Sequence, residues 1–311
     1  MTTRKVYNIP HFDSIMDLID IVALLDREFD VENVKDDWSW MFDKLFLDKS
    51  LNSFRVVGHN TGLMIANSQE VNKIYTAFAP SRYVLEAIRL LGITNSLLVV
   101  KHPFDWDGRR KGKGFLHFTE RDYQLMEGMG ISIYSLHTPL DRNRNDKVVS
   151  TAYAFAKIIK LKVQEEFGVE GESNPDIRLG LIGTVSERKL SNFVKRLNTT
   201  LDYKVHLMKA NEEVGTIAVV TGGGFVPRLM LEGKERGVNT YITGIITPNA
   251  SDYDKKNYGK TLKEVTKIGL NIIGCSHYLT EKWAMEQSIP YFSSICKAEF
   301  IEDKEALNLL E

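Results

Sequence analysis

The stretch VNKIYTAFAPSRYVLEAIRLLGITNSLLVVKH, residues 71–102, decides the fold class of the chain. Residues 71–78 are rich in β-branched and aromatic side chains, which is typical of a strand. A helix is predicted over 80–91, because proline and serine begin this segment and Gly92 follows its last apolar residue. Residues 97–101 form a second short apolar run. A strand, a helix and a strand in this order predict a βαβ unit with parallel strands.

The same alternation of strand and helix signals continues along the chain. Apolar residues at helical spacing over 15–25 predict a helix near the N-terminus. A helix over 119–129 should end at Gly130, a strand should follow over 131–136, and a long helix is predicted over 147–166. The remaining predicted elements are strands over 178–183, 204–208, 216–221, 240–246, 270–275 and 290–295, and helices over 186–197, after Gly224, over 260–268 and over 278–287. The pattern predicts an α/β protein of two similar lobes, with mixed, largely parallel sheets flanked by helices.

The length of 311 residues fits two ordinary domains. Residues 168–176, GVEGESNPD, concentrate glycine, proline and polar residues and are the best candidate for a linker. We therefore expect an N-terminal helical lead-in over 1–55 that packs on the first lobe. The first lobe should cover 56–170, and the second lobe should cover 171–311.

The composition is that of a globular protein and excludes several functional classes. Hydrophobic residues make up 43% of the chain and charged residues 26%, so a packed core is expected. The 40 Lys and Arg residues oppose 41 Asp and Glu, which argues against dedicated nucleic-acid binding and against a polybasic membrane surface. Cys275 and Cys296 make neither a disulfide framework nor a CxxC metal motif. No segment resembles a signal peptide or a membrane span, so we expect a cytoplasmic protein.

Three predicted strands end in a histidine. His102 follows the second strand of the βαβ unit, and the pairs His137 with Asp141 and His277 with Glu281 follow two other strands. Ligands bind beyond the carboxyl ends of strands in such sheets, and residues four apart share one face of a helix. A capping or buried histidine is the alternative interpretation of each residue alone. Together they predict a site for one or two divalent ions per chain, and Zn, Mn, Fe, Co or Ni suits these ligands. The predicted ligands are His102, Asp141, His277 and Glu281.

A glycine turn and a basic loop are candidate phosphate-binding elements. Gly222, Gly223 and Gly224 lie between an apolar strand and a predicted helix, where backbone N–H groups can bind an anion. Arg109 and Arg110 begin the basic loop RRKGK, which can attract a nucleotide. The alternative interpretations are a tight strand-to-helix connection and a solvated loop.

Six short motifs occur along the chain in a characteristic order. They are HNTGL (59–63), VVKHPF (99–104), SLHTPLD (135–141), VVTGGG (219–224), YITG (241–244) and SHYLTE (276–281). In this order the chain resembles the Nif three-like proteins, the Ngg-one-interacting factor family, whose bacterial members are called GTP cyclohydrolase I type 2 homologues. The resemblance implies two α/β lobes with a two-metal site in the cleft between them. It also implies assembly as ring-shaped homo-oligomers, namely hexamers.

The resemblance assigns roles to individual residues by motif. His102 matches the second histidine of a His-His pair. Asp141 and His277 match two further metal ligands, and Glu281 matches the glutamate that bridges both ions. His137 matches a family histidine that orients its neighbours without binding the metal.

The chain departs from the family pattern at the first histidine of the pair, which is Lys101 here. A protonated ammonium cannot bind a metal. Lys101 either supplies its charge in place of the second cation, which we favour, or becomes neutral and binds a metal. His59 stands where the family has an aspartate, and residues 245–248 replace an acidic, histidine-rich turn. These departures remove polar groups from one side of the cleft.

The sequence leads to one functional hypothesis and two alternatives. The hypothesis is a metal-dependent hydrolase in which Glu281 positions or deprotonates a metal-activated water that attacks a nucleotide or a related heterocycle. By resemblance alone, the small-molecule substrate is GTP. A catalytically impaired metal-binding or scaffold protein acting through oligomerisation is the first alternative, and Lys101 favours it. The second is a metal-dependent phosphoesterase, which would release phosphate from GTP in place of formate.

Overall fold

The computed structural model describes residues 15–34, 61–103, 119–172, 174–246, 252–304 and 306. The strands within these residues are β1 (Met16–Asp17), β2 (Gly62–Ile65), β3 (Glu70–Val71), β4 (Lys73–Ala77), β5 (Ser96–Val100), β6 (Ile131–Ser135), β7 (Lys162–Gly171), β8 (Asn174–Thr184), β9 (His206–Met208), β10 (Ile217–Val219), β11 (Thr240–Thr243), β12 (Asn271–Gly274) and β13 (Ala298–Phe300). The helices are α1 (Leu18–Phe29), α2 (Arg82–Leu91), α3 (Glu120–Met129), α4 (His137–Asp141), α5 (Thr151–Ile158), α6 (Leu190–Leu201), α7 (Pro227–Glu235), α8 (Asp252–Ile268), α9 (His277–Gln287) and α10 (Ile289–Ser293). None of these described helices is both long and apolar enough to cross a membrane.

Two large mixed sheets dominate the fold. The five-stranded sheet has the order β13-β4-β5-β6-β2, in which β2 is the antiparallel strand. The six-stranded sheet has the order β7-β8-β10-β11-β12-β9, and its three parallel neighbours are β10, β11 and β12. A small antiparallel pair joins β1 to β3. The predicted α/β fold class is confirmed. The sheets are mixed and partly parallel, and helices flank them.

The βαβ unit predicted from residues 71–102 is present. β4 and β5 are parallel neighbours, and α2 connects them. The N–H of Val84 donates to the side chain of Ser81 at 3.2 Å, which caps the start of α2, and the helix ends before Gly92. All residues of β5 are buried, as expected for a central strand of a parallel sheet.

Helices α5 and α9 lie between the two large sheets. Phe155 of α5 packs in a hydrophobic cluster with the six-stranded sheet, whereas Ala154 packs in a cluster with the five-stranded sheet. In α9, Tyr278 packs in the first of these clusters and Met285 packs in the second. Because α9 is buried from both sides, its first turn lies at the boundary between the sheets.

The long helix predicted over 147–166 is wrong in its second half. α5 ends at Ile158, and β7 begins at Lys162. Phe167 of β7 pairs with Gly180 of β8, where a Cβ atom would meet the Phe167 ring. Strand pairing and the burial of Phe167 therefore outweigh the local helix propensity of this segment.

The strand predicted over 290–295 is also wrong. Most of this segment forms α10, and Pro290 lies in its first turn. N–H groups of the first turn have no partner within the helix, so a proline there costs no helical hydrogen bond. The last strand among the described residues is instead β13, which pairs in parallel with β4. The C-terminal part of the chain thus returns to the five-stranded sheet.

The segment 168–176, predicted as a linker, lies at the end of the hairpin formed by β7 and β8. Gly171 pairs with Asn174 across this hairpin. Both strands belong to the six-stranded sheet, so the segment connects two strands of one sheet. The limits of the two lobes, 56–170 and 171–311, stay predictions.

The structure describes residues 15–34 of the N-terminal lead-in, and these contain α1. The buried face of α1 packs in the hydrophobic cluster that includes Val71 of β3 and Ile74 of the five-stranded sheet. The expected place of the whole lead-in on the first lobe stays a prediction. The extent of the lead-in over 1–55 stays a prediction.

Candidate metal centre

Two groups of the candidate centre follow the carboxyl end of β5. The N–H groups of Lys101 and His102 donate to the carbonyls of Ala77 and Phe78 at 3.3 and 2.9 Å, which continues the pairing of the two strands. Lys101 is 1% exposed and His102 is 3% exposed. The centroids of the Phe78 and His102 rings lie 4.7 Å apart. Two polar side chains are thus buried at one strand end, where they require polar partners.

The HTPLD motif forms the helical turn α4 after β6. Its first residue, His137, lies beside the end of β5, and the ring centroids of His102 and His137 are 5.2 Å apart. Its last residue, Asp141, keeps 22% of its side chain exposed and pairs with Lys101. Because β5 and β6 are parallel neighbours, their carboxyl ends bring these four side chains together.

α9 supplies the remaining two groups. His277 and Glu281 lie one helical turn apart and are 5% and 3% exposed. Ser276, just before the helix, has φ 72° and ψ 137°, and such a conformation costs a residue other than glycine about 1–3 kcal/mol. This sharp change of direction leads the chain from β12 into α9.

His102, His277 and Glu281 form a compact cluster of potential metal ligands. One ligand atom from each residue lies within 4.8 Å of the others, and all three residues are buried. Nε2 of His102 lies 2.8 Å from Oε2 of Glu281, and Nε2 of His277 lies 3.3 Å from the same oxygen. Two imidazoles and one carboxylate at this spacing can hold a metal ion.

Lys101 and Asp141 form an ion pair beside this cluster. Nζ of Lys101 donates to Oδ2 of Asp141 at 3.0 Å and lies 3.8 Å from Oε2 of Glu281. Oγ1 of Thr151 donates to Oδ1 of Asp141 at 2.9 Å, and Thr221 Oγ1 donates to Thr151 Oγ1 at 2.9 Å. Both oxygens of Asp141 therefore have partners within the chain, and Asp141 is not part of the three-residue cluster found among the described residues.

Gly222 approaches the cluster from the six-stranded sheet. It has φ 60°, and a Cβ atom at this position would lie 2.0 Å from Oε1 of Glu281 and 2.9 Å from Nε2 of His277. The N–H of Gly222 donates to Oγ1 of Thr280 at 3.0 Å. A side chain at this position would displace Glu281, so glycine is required by packing as well as by its backbone conformation.

Burial and neighbouring charges set the protonation states of the centre. Burial and the ammonium of Lys101 lower the pKa of His102 well below its ordinary value, so its imidazole is neutral, as metal binding requires. Burial by itself would raise the pKa of Glu281, but Lys101 and the two imidazoles hold this pKa well below its usual range. Burial raises the pKa of Asp141 against the opposing effect of Lys101. The three-residue cluster thus offers neutral His102 and ionised Glu281, which fits one divalent cation.

Comparison with known proteins identifies the family. The family described as Duf34/NIF3 (NGG1p interacting factor 3) matches residues 51–304. The chain belongs to this family. The resemblance inferred from the six motifs is therefore confirmed. No curated protein matches the chain.

Several solved structures share the fold of this Duf34/NIF3 chain. The protein ybgI, of unknown function, is 18% identical with a TM-score of 0.67, and the match covers 94% of this chain and 100% of ybgI. Reduced HcgD from Methanocaldococcus jannaschii is 18% identical with a TM-score of 0.59, covering 93% and 98%. A Bacillus cereus protein related to NIF3 is 14% identical with a TM-score of 0.61, covering 94% and 97%. At these identities the likeness shows a shared fold.

The structure brings the predicted site residues of the strand ends together. The six residues that lie in or beside the centre are Lys101, His102, His137, Asp141, His277 and Glu281. Arg109, Arg110 and His59 lie outside the described residues, as do residues 247–248 of the altered turn. The N–H of Gly222 is already bonded within the chain, and phosphate binding by the glycine turn stays a prediction.

Three threonines beside the centre, Thr151, Thr221 and Thr280, were not among the predicted site residues. Thr221 and Thr280 belong to motifs that were recognised, so the motifs themselves were the available signal. Thr151 begins α5 and lies 70 residues from its partner Thr221. No local pattern distinguishes Thr151 from other threonines, and only the packing of α5 against β10 reveals its role.

Proposed function

We propose that the chain is a metal-dependent hydrolase that binds one divalent cation at His102, His277 and Glu281. The observation that carries this proposal is the convergence of three ligand atoms within 4.8 Å of one another at buried residues. Burial of polar and charged groups is costly unless hydrogen bonds or a cation compensates it. The ligand set suits Zn, Mn, Fe, Co and Ni alike.

The residues of the centre would divide the work of hydrolysis. A divalent cation held there would supply Lewis-acid chemistry and make a water molecule more acidic. Glu281 presents an ionised carboxylate that can accept a proton from the attacking water. Phe78 covers the rings of His102 and His277, at centroid distances of 4.7 and 5.7 Å, and so helps to keep bulk water from them.

Two further residues would position the groups that react. Asp141 fixes the ammonium of Lys101 at 3.0 Å, and in this proposal it acts through that contact. His137 lies beside the ring of His102 and orients it. In this proposal Asp141 has a positioning role, because both of its oxygens have partners within the chain. Its sequence-based assignment as a metal ligand stays a prediction.

Family resemblance supplies the first substrates to test. They are nucleotides and related heterocycles, with GTP first, because hydrolytic opening of the guanine imidazole ring is the reaction that the resemblance implies. The N–H groups of Gly223 and Gly224 are the donors proposed for the phosphates. The basic loop that contains Arg109 and Arg110 would attract such an anion.

The experiment that tests the proposal is turnover of GTP by protein that has been stripped of metal and reloaded with one metal at a time. Formate and phosphate are measured separately, because formate reports ring opening and phosphate reports a phosphoesterase. We expect turnover only in metal-loaded protein. Glu281→Gln should lower it by about 100-fold or more, because the variant loses an anionic ligand and a proton acceptor.

A second glutamate provides the matched control. Glu299 is 47% exposed and pairs with Lys73 on the five-stranded sheet. Glu299→Gln should therefore retain both bound metal and turnover. Full metal loading without turnover of GTP or related heterocycles would contradict the proposed hydrolase.

A scaffold that acts through oligomerisation is the second candidate function. Lys101 favours it, since an ammonium lies where the family has a histidine ligand. The hexamer implied by resemblance is measured by sedimentation of the full chain. A scaffold predicts an unchanged assembly in Glu281→Gln and no turnover in the wild type, whereas the hydrolase predicts turnover that this variant loses.

A further inference from the structure

Lys101 shares a carboxylate with the candidate metal cluster. Its side chain is 1% exposed, and lysine is almost never so deeply buried unless it is paired. Its Nζ lies 3.8 Å from Oε2 of Glu281. The same oxygen lies 2.8 Å from Nε2 of His102 and 3.3 Å from Nε2 of His277. One oxygen therefore faces both the ammonium and the two imidazoles.

We infer that Lys101 is a built-in cation that occupies the position of a second metal ion and limits the centre to a single ion. This inference rests on the proposed metal site. The ammonium lies between two carboxylates, 3.0 Å from Asp141 and 3.8 Å from Glu281. A cation bridging those carboxylates would have to lie where the ammonium is.

The charges of the group favour one ion over two. In their ionised forms, Lys101, Asp141 and Glu281 together carry one net negative charge. One divalent ion would change this to one net positive charge, and a second ion would raise it to three. Because uncompensated charge is expensive in a buried site, the second ion is disfavoured as long as Lys101 is present.

A second hydrogen bond holds the carboxylate of Asp141 in the conformation in which it pairs with Lys101. Its Oδ1 accepts a hydrogen bond from Thr151, and Thr151 accepts one from Thr221, each at 2.9 Å. This chain of contacts joins α4 and α5 to the end of β10. Asp141 therefore cannot turn toward an ion without losing the ammonium, the hydroxyl or both.

Metal stoichiometry in Lys101 variants of the full chain tests the inference. Each stripped protein is titrated with Mn²⁺, bound Mn²⁺ is counted by elemental analysis, and electron paramagnetic resonance distinguishes an isolated ion from a coupled pair. The wild type should bind about one ion per chain and give the spectrum of an isolated ion. Lys101→His exchanges the ammonium for an imidazole ligand and should bind about two ions as a coupled pair.

A second variant keeps the test decisive if Lys101→His folds poorly. Lys101→Met removes the charge without adding a nitrogen ligand, so a second, weaker Mn²⁺ site should appear at Asp141 and Glu281. The matched control is Lys282→Met, because Lys282 is also buried, with 8% of its surface exposed, but pairs with Glu302 and not with a carboxylate of the centre. The control should bind about one ion, like the wild type.

Each contrary outcome identifies what has failed. Two ions in the wild type, or a single ion in both folded Lys101 variants, would overturn the built-in cation. No bound ion in any protein would instead overturn the metal site on which the inference rests. One bound ion without turnover would overturn the hydrolase and leave the built-in cation standing.

Discussion

The two halves of the buried centre compensate their carboxylates differently. In one half, His102, His277 and Glu281 hold three ligand atoms within 4.8 Å of one another, an arrangement suited to an exchangeable cation. In the other half, the cation is part of the chain, because Lys101 lies 3.0 Å from Asp141. Buried carboxylates need a positive partner in both places. The comparison teaches that one buried centre can balance its carboxylates in two ways, with side chains arranged to hold an ion and with a lysine of the chain itself.

Removal of the built-in cation should have the largest effect on stability. Breaking a buried ion pair costs about 3–5 kcal/mol, and we expect about 3 kcal/mol for Lys101→Met, since Asp141 keeps 22% of its side chain exposed. Urea unfolding of the metal-free proteins measures the loss. Lys282→Met should lose about 1 kcal/mol or less, because its partner Glu302 is 49% exposed. Equal losses in the two variants would show that the two lysines are equivalent and would remove the contrast between the halves.

The half of the centre that contains His102, His277 and Glu281 can be perturbed by a substitution at Gly222. Gly222→Ala introduces a Cβ atom 2.0 Å from Glu281 Oε1 at a position with φ 60°. We expect a loss of about 2 kcal/mol from overpacking and strain, and metal affinity lower by about 10- to 100-fold. Gly223→Ala is the control, because a Cβ atom there meets nothing within 4 Å. Calorimetric titration with Mn²⁺ that gives both variants the same affinity would refute the packing role of Gly222.

The hydroxyl of Thr151 links the two sheets through Asp141. Thr151→Val removes the donor to Asp141 and the acceptor of Thr221, and should cost about 1–2 kcal/mol. Thr266→Val, at an exposed position of α8, should change stability by about 0.5 kcal/mol or less. A double-mutant cycle with Lys101→Met measures the coupling. Additive losses would mean that Thr151 does not act on the Lys101 and Asp141 pair.

The smallest effect is expected at Ser276, which precedes His277 with φ 72°. Ser276→Gly relieves backbone strain but increases the freedom of the unfolded chain, so we expect a gain of about 1 kcal/mol or less. Ser81→Gly, at an N-cap with φ −64° and a hydrogen bond from Val84, should instead lose a few tenths of a kcal/mol. Thermal unfolding compares the two variants. Losses of similar size in both would indicate that Ser276 is not strained.

The sequence predicted the elements that depend on local signals. The βαβ unit follows from its apolar runs and from Gly92, and the shared face of His277 and Glu281 follows from their spacing. The sequence did not predict that Lys101 pairs with Asp141. This contact depends on how the two side chains are oriented where the ends of β5 and β6 meet. β7 was mistaken for helix, since its pairing with β8 outweighs the local propensity.

The most direct test of the central claim is an anomalous difference map from a crystal of the full chain grown with Zn²⁺. The account predicts one peak per chain, about 2.0–2.2 Å from His102 Nε2, His277 Nε2 and an oxygen of Glu281. Lys101 should remain on Asp141 in the same crystal. Two peaks in the centre, or a peak bound to Asp141 with Lys101 displaced, would contradict the account.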